Sequence, residues 1–124
     1  MADRTHIVSV CDRYVELLTA GDHEGIVALF ADDAWIEDPV GTPRKEGKEA
    51  LRAFYSTDHG VTPVMARIGP ACVVGNEVAF QFRIDIDLGG TAIKMTSTDV
   101  MTFGDDGLIT SMRAYPDGEA DPDA

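Results

Sequence analysis

Residues 78–103 read VAFQFRIDIDLGGTAIKMTSTDVMTF. From Val78 to Leu88 apolar and polar side chains alternate, which is the pattern of a strand with one buried face. Gly89-Gly90 then supplies the two positive-φ residues of a tight hairpin turn. Thr91 to Phe103 follows as a long second strand. With two residues in the turn, Leu88 pairs with Thr91 and the rest of the ladder is set. Phe82 falls opposite Ser97, and Phe80 falls opposite Asp99.

The hairpin has neighbours on both sides. Val64 to Ile68 and Ala71 to Val74 read as short strands around Gly69-Pro70, followed by the turn signal Gly75-Asn76. On the other side Asp105, Asp106 and Gly107 make a turn, and Leu108 to Tyr115 closes an antiparallel meander. If Phe103 pairs with Leu108, Met112 stands opposite Asp99. Residues 116–124 are Asp, Gly, Pro and Ala with one Glu and read as a flexible acidic tail. Residues 1–115 then form a single domain.

The front half is helical. From Thr5 to Ala20 the apolar residues Ile7, Val8, Val10, Cys11, Tyr14, Val15, Leu17 and Leu18 follow a period near 3.6. Thr5 suits the N-cap and Gly21 the stop. Asp22 caps a short second helix carrying Ile26, Val27, Leu29 and Phe30. A third runs from Lys48 to Tyr55, with Leu51, Phe54 and Tyr55 on one side. Between the second and third, Ala34 to Gly41 reads as a short strand ended by Pro39 and Gly41. Helices first and a meander after them predict an α+β fold, with three helices packed on one face of a curved antiparallel or mixed sheet.

Composition narrows the function. The chain has 124 residues, 44% of them hydrophobic, and a formal net charge of −12. That length buries a core without staples. The negative charge repels phosphate backbones and anionic membranes, so neither nucleic acid nor membrane is an expected partner. No apolar run approaches the roughly 18 residues of a spanning helix, and the first turn is polar. Cys11 and Cys72 form no CxxC, and His6, His23 and His59 are scattered, so no metal site is expected. These features predict a reducing, cytoplasmic setting.

Three polar groups fall on apolar faces. In the long strand Ile93, Met95, Ser97, Asp99, Met101 and Phe103 share one face, and the acid stands among apolar neighbours. Flanked by Phe80 and Met112, with no base on that face, Asp99 is expected to be desolvated and to favour its neutral form, a hydrogen-bond donor. Asp38 shares a side with Ala34, Ile36 and Val40, although an Asp before Pro39 also suits a turn. Tyr14 lies on the apolar stripe of the first helix, where a buried phenol needs a partner.

These residues carry a likeness. Arg13-Tyr14-Val15, Gly21-Asp22, the run from Gly25 to Ala34, Glu37-Asp38-Pro39-Val40-Gly41, Phe54-Tyr55, Ala79-Phe80, Asp99 and Ser111-Met112-Arg113-Ala114 appear in order. From about Val10 to Tyr115 the chain resembles the bacterial ketosteroid isomerases, or steroid Δ-isomerases. The resemblance implies a cone-shaped fold of the nuclear-transport-factor-like, SnoaL-like type, a homodimer, and an apolar pocket between sheet and helices. It implies Asp38 as the proton-shuttling base, with Tyr14 and neutral Asp99 as donors to the oxyanion. It implies a steroid substrate and no cofactor. Expected pocket walls are Val40, Phe54, Tyr55, Phe80, Phe82, Ile84 and Met112.

The chain departs from the pattern at three places. Pro116 stands where some members carry an aromatic beside the base. Ser97 replaces an apolar residue or proline. Phe30 stands where some members have a tyrosine. The same fold hosts polyketide cyclases and sterol- or protein-binding modules. It also hosts epoxide hydrolases, which need an arginine beside two Asp. Arg83 and Arg113 are expected on the faces opposite Phe82 and Met112, away from any pocket.

Overall fold

The Gly89-Gly90 turn closes the hairpin in the expected register. Gly89 has φ 63° and Gly90 φ 104°, Leu88 pairs with Thr91, and Phe82 and Phe80 stand opposite Ser97 and Asp99. The computed structural model describes residues 2–57 and 60–124, so His59 lies outside the described residues. In chain order the elements are α1 (Arg4–Ala20), α2 (His23–Val27), β1 (Phe30–Glu37), β2 (Lys45–Glu46), α3 (Lys48–Tyr55), β3 (Val64–Val74), β4 (Glu77–Leu88), β5 (Thr91–Phe103) and β6 (Ile109–Asp117). The strands form one six-stranded sheet in the order β2-β1-β6-β5-β4-β3. All neighbours are antiparallel except β1 and β6, which run parallel. The fold is α+β, three helices on a mixed sheet.

Several boundaries move, each for a local reason. The N-cap of α1 is Asp3, not Thr5, because the Asp3 carboxylate accepts from the His6 backbone N–H. Phe30 leaves α2 and starts β1, where it pairs with Ile109. The two strands read around Gly69-Pro70 are one strand, β3, with a register shift between Ile68 and Cys72. A proline lacks the ladder N–H, so the strand bulges there and continues.

The turn after β5 changes the largest expectation. Gly104 N–H donates to Leu108 O at 2.9 Å, so the turn is one residue longer than Phe103–Leu108 pairing requires. A bulge then adds Thr110 to β6, and Phe103 pairs with Ile109 but Thr102 with Ser111. The net slip is two residues, which preserves the faces. Met112 therefore stays buried but opposes Met101, and Ala114 takes its place beside Asp99. β6 also runs past Tyr115 to Asp117. Beyond Arg113 it has left β1 and is a sheet edge on that side, where Pro116 costs no ladder bond.

The core gathers the inner sheet face and the helices' apolar stripes. Ile7, Cys11, Phe30, Ile36, Leu51, Met101, Phe103, Ile109 and Met112 are fully buried in it. α1 packs across β3 and β4, and its C-terminus is held by Thr19, whose hydroxyl accepts from Met65 N–H at 3.0 Å. Gly21 stops α1 at φ 68°. No helix among the described residues is long and apolar enough to cross a membrane.

Candidate active site

A cavity of about 550 Å³ lies between the helices and the inner sheet face. Tyr14 and Leu18 reach it from α1, Ile26 from α2, and Phe54 and Tyr55 from α3. Met65, Phe82, Ile84, Ser97, Asp99 and Pro116 line it from the sheet, and Asp38 from the turn after β1. Tyr14, Asp38 and Asp99 thus converge on one cavity, although far apart in sequence.

The convergence of the two acids has a backbone cause. Along β1, Ile36 faces the core and Glu37 faces out, so the next residue points inward. Glu37 Oε1 accepts from Gly41 N–H and from the Arg113 guanidinium, each at 3.2 Å, which holds the turn from outside. Val40 N–H donates to Ala114 O at 2.9 Å. Ala114 is the cross-strand neighbour of Asp99. The turn carrying Asp38 is therefore stitched to the residue beside Asp99.

Burial sets the proton affinities. Asp99 is 1% exposed. Desolvation pushes its carboxyl up to about 7, aided by the negative charge of Asp38, while a bond from the Ser97 hydroxyl at 2.7 Å pulls the other way. Asp38 is half-buried, and desolvation raises it above the usual carboxylate range. Lys45 opposes that shift; its ammonium donates to the Asp38 carbonyl at 3.4 Å. A carboxylate with raised proton affinity in a cavity suits a general base.

Tyr14 is 2% exposed, and its hydroxyl shares a 2.9 Å hydrogen bond with the Tyr55 hydroxyl. The rings meet edge to face, 6.1 Å apart at 82°. Burial first, then Tyr55, Asp99 and Asp38, raise the Tyr14 phenol well above its ordinary value, so it stays protonated. If Tyr55 donates to Tyr14, the Tyr14 O–H is free to donate into the cavity. The array then offers one base and two neutral donors among apolar walls. Such an array can move a proton at a carbon beside a carbonyl while holding the charge that develops on oxygen.

Not every expected wall residue reaches the cavity. Phe54, Tyr55, Phe82 and Ile84 line it; Val40, Phe80 and Met112 do not. Phe80 is 2% exposed and stacks on Phe82 at 5.9 Å, beneath the wall rather than in it. Met112 is removed by the two-residue slip of β6. Leu18, Ile26 and Met65 line it as well, beyond the expected walls. Leu18 had a signal, one helical turn after Tyr14; Met65 had none, since its place depends on pairing with Ile84. No arginine is among the described residues lining the cavity. Arg83 instead holds Asp85 and Asp123 on the outer face.

A SnoaL-like domain pattern matches residues 11–112. A steroid Delta-isomerase of Nocardioides simplex is 39% identical over 103 residues, 83% of each chain. Among solved structures, the epoxide hydrolase/cyclase-like enzyme SalBIII, with a role in pyran ring formation in the polyether salinomycin, is similar at a TM-score of 0.81. That match has 28% identity and covers 94% of this chain and 95% of the other.

Proposed function

This chain belongs to the SnoaL-like family, as an enzyme related to the ketosteroid isomerases, and from that premise we propose that it converts 3-oxo-Δ5-steroids to 3-oxo-Δ4-steroids by intramolecular proton transfer. The observation that carries the proposal is the meeting of Asp38, Tyr14 and a buried Asp99, with no cation beside it among the described residues, in one apolar-walled cavity.

The steps follow from the roles. The steroid ketone oxygen accepts hydrogen bonds from Tyr14 and from neutral Asp99. Ionised Asp38 removes a proton from the carbon between the ketone and the double bond. The electrons of that C–H bond enter a dienolate, and negative charge collects on the oxygen facing the two donors. Asp38 then returns the proton to the far end of the dienolate, forming a new C–H bond and leaving the conjugated enone. One C–H bond breaks, one forms, and nothing is oxidised. Each oxyanion donor lowers the barrier by about 3 kcal/mol. A positioned base contributes roughly 10²- to 10⁴-fold. The proposal extends to a homodimer, on the family resemblance, and to a cytoplasmic setting, on the two scattered cysteines without a CxxC; size-exclusion with light scattering tests the first.

The test is the ultraviolet absorbance of the conjugated enone formed from a Δ5-3-ketosteroid. Asp38→Asn keeps shape and removes the base, so turnover should fall by at least about 10²-fold with steroid binding retained. Near wild-type turnover in that variant removes Asp38 from the role. No absorbance gain with the wild type rejects the reaction.

The likeness to SalBIII favours a second reading, a cyclase acting on a different enolisable or epoxide-bearing substrate. It is the weaker one because no arginine is among the described residues of the cavity to polarise an epoxide. Turnover of a polyketide-like ester in preference to the steroid would favour it.

A further inference from the structure

Two polar side chains besides Asp99 are buried along β5. Thr96, on the outer face, is accounted for, since its hydroxyl donates to Ala120 O at 2.9 Å. Ser97 is 2% exposed, faces the cavity, and has Phe82 and Pro116 as cross-strand neighbours. An apolar side chain would suit that wall, and a hydroxyl buried there needs a partner. Its partner is Asp99: Ser97 Oγ lies 2.7 Å from Asp99 Oδ1. Positions 97 and 99 share a strand face, so the contact is local and does not depend on the rest of the fold.

A serine hydroxyl has one proton to give. If Oδ1 accepts it, the proton of neutral Asp99 belongs on Oδ2. We propose, resting on the isomerase reading above, that Ser97 is a positioning residue for Asp99, holding the acid's proton on Oδ2 and presenting it to the substrate oxygen as a stronger donor. Among the described residues Ser97 is the one side chain that hydrogen-bonds Asp99. From a distance the charge of Asp38, after β1, acts on Asp99, and Asp99 in turn acts on Cys11 and Tyr14 of α1 and on Tyr55 of α3. None of them is cationic. The flanking strands present Phe80 and Ala114, which do not titrate.

The pH consequence has a definite sign. Burial and Asp38 favour the neutral acid, while the Ser97 bond favours the ionised one. Without the hydroxyl, Asp99 keeps its proton to higher pH but donates it less strongly. Ser97→Ala should therefore be several-fold slower than wild type near pH 6, and its alkaline limb in kcat/KM should move up by about one pH unit. The two profiles cross, which a change of cavity shape alone does not produce.

The experiment has two arms. In ligand-free protein, the carboxyl carbon of Asp99 is titrated by carbon-13 NMR, its signal identified by its loss in Asp99→Leu. The midpoint should rise by about one unit in Ser97→Ala and return toward wild type in Ser97→Thr. In the kinetic arm, Ser97→Ala should slow the enzyme several-fold with Asp99 present and lose most of that effect in the Asp99→Leu background. An unchanged midpoint, or equal losses in both backgrounds, overturns the proposal. If the wild type turns over no steroid, the isomerase reading falls, and the titration still decides whether Ser97 governs the Asp99 proton.

Discussion

β4 and β5 carry acids on both faces of the same hairpin, and the two faces treat them in opposite ways. On the outer face the Arg83 guanidinium holds Asp85 at 2.8 Å and Asp123 at 2.9 Å, and Lys94 joins Asp123 at 2.8 Å. Those cations hold both carboxyls below the usual range. On the inner face Asp99 has a hydroxyl for company and, among the described residues, no cation, and it is pushed up to about 7. One kind of acid is a fastening in water; the other, buried in an apolar wall, holds its proton to higher pH, as the hydrogen-bond donor we propose requires. Asp85 and Asp99 are the same residue type; the strand's period of two decides which face, and so which surroundings, each takes.

The largest expected difference is catalytic. Asp99→Leu should lower kcat for the Δ5-3-ketosteroid on the order of 10²- to 10³-fold, the effect of losing one oxyanion donor. Asp123→Asn should leave steady-state kinetics at wild-type values. Similar losses in both variants would break the distinction between the faces.

Stability should respond to pH with opposite signs on the two faces. In the unfolded chain the Asp99 carboxyl ionises near ~3.9, whereas in the folded protein it does so at about 7. Between those values the folded state keeps a proton that the unfolded state has released. Stability therefore falls as pH rises from about 4 to about 7, by an amount on the order of a few kcal/mol, and levels off above. Asp85 and Asp123 are depressed, so their contribution is present above the unfolded carboxyl value and lost as pH falls below it. Urea midpoints of wild type and Asp99→Asn across pH 4 to 8 test this. A slope that survives in Asp99→Asn belongs to another group.

The smallest effect sharpens the inner side. Tyr55→Phe removes the 2.9 Å bond to Tyr14 and leaves the ring packing. The loss should be about 1 kcal/mol, several-fold in kcat, and well below that of Tyr14→Phe. Loss as large as that of Tyr14→Phe would make Tyr55 a direct donor rather than a support.

The hairpin and the helix stripes were legible because their determinants are local. Gly89-Gly90 allows one tight turn, and alternation then pairs Phe80 with Asp99 along the whole ladder. The spacing of Val10, Tyr14, Leu17 and Leu18 likewise puts the phenol on the buried stripe of α1. The link between β5 and β6 was legible only in part. A longer turn and a bulge slipped the register by two residues, an even number that kept Met112 inward but moved it from Asp99 to Met101. No residue type in Asp105-Asp106-Gly107 announces that bulge.

What the amino-acid order determined is therefore which face each side chain occupies, including the placing of Asp99 and Ser97 together among apolar neighbours. The backbone's own periodicity dictates that over a few residues. The tertiary structure alone decided which of those faces share a cavity. Parallel pairing of β1 with β6 and the tie from Val40 to Ala114 bring Asp38 beside Asp99, and the packing of α3 brings Tyr55 to Tyr14. These contacts close long loops of chain, so their geometry comes from the packed sheet as a whole and is not written in any short stretch.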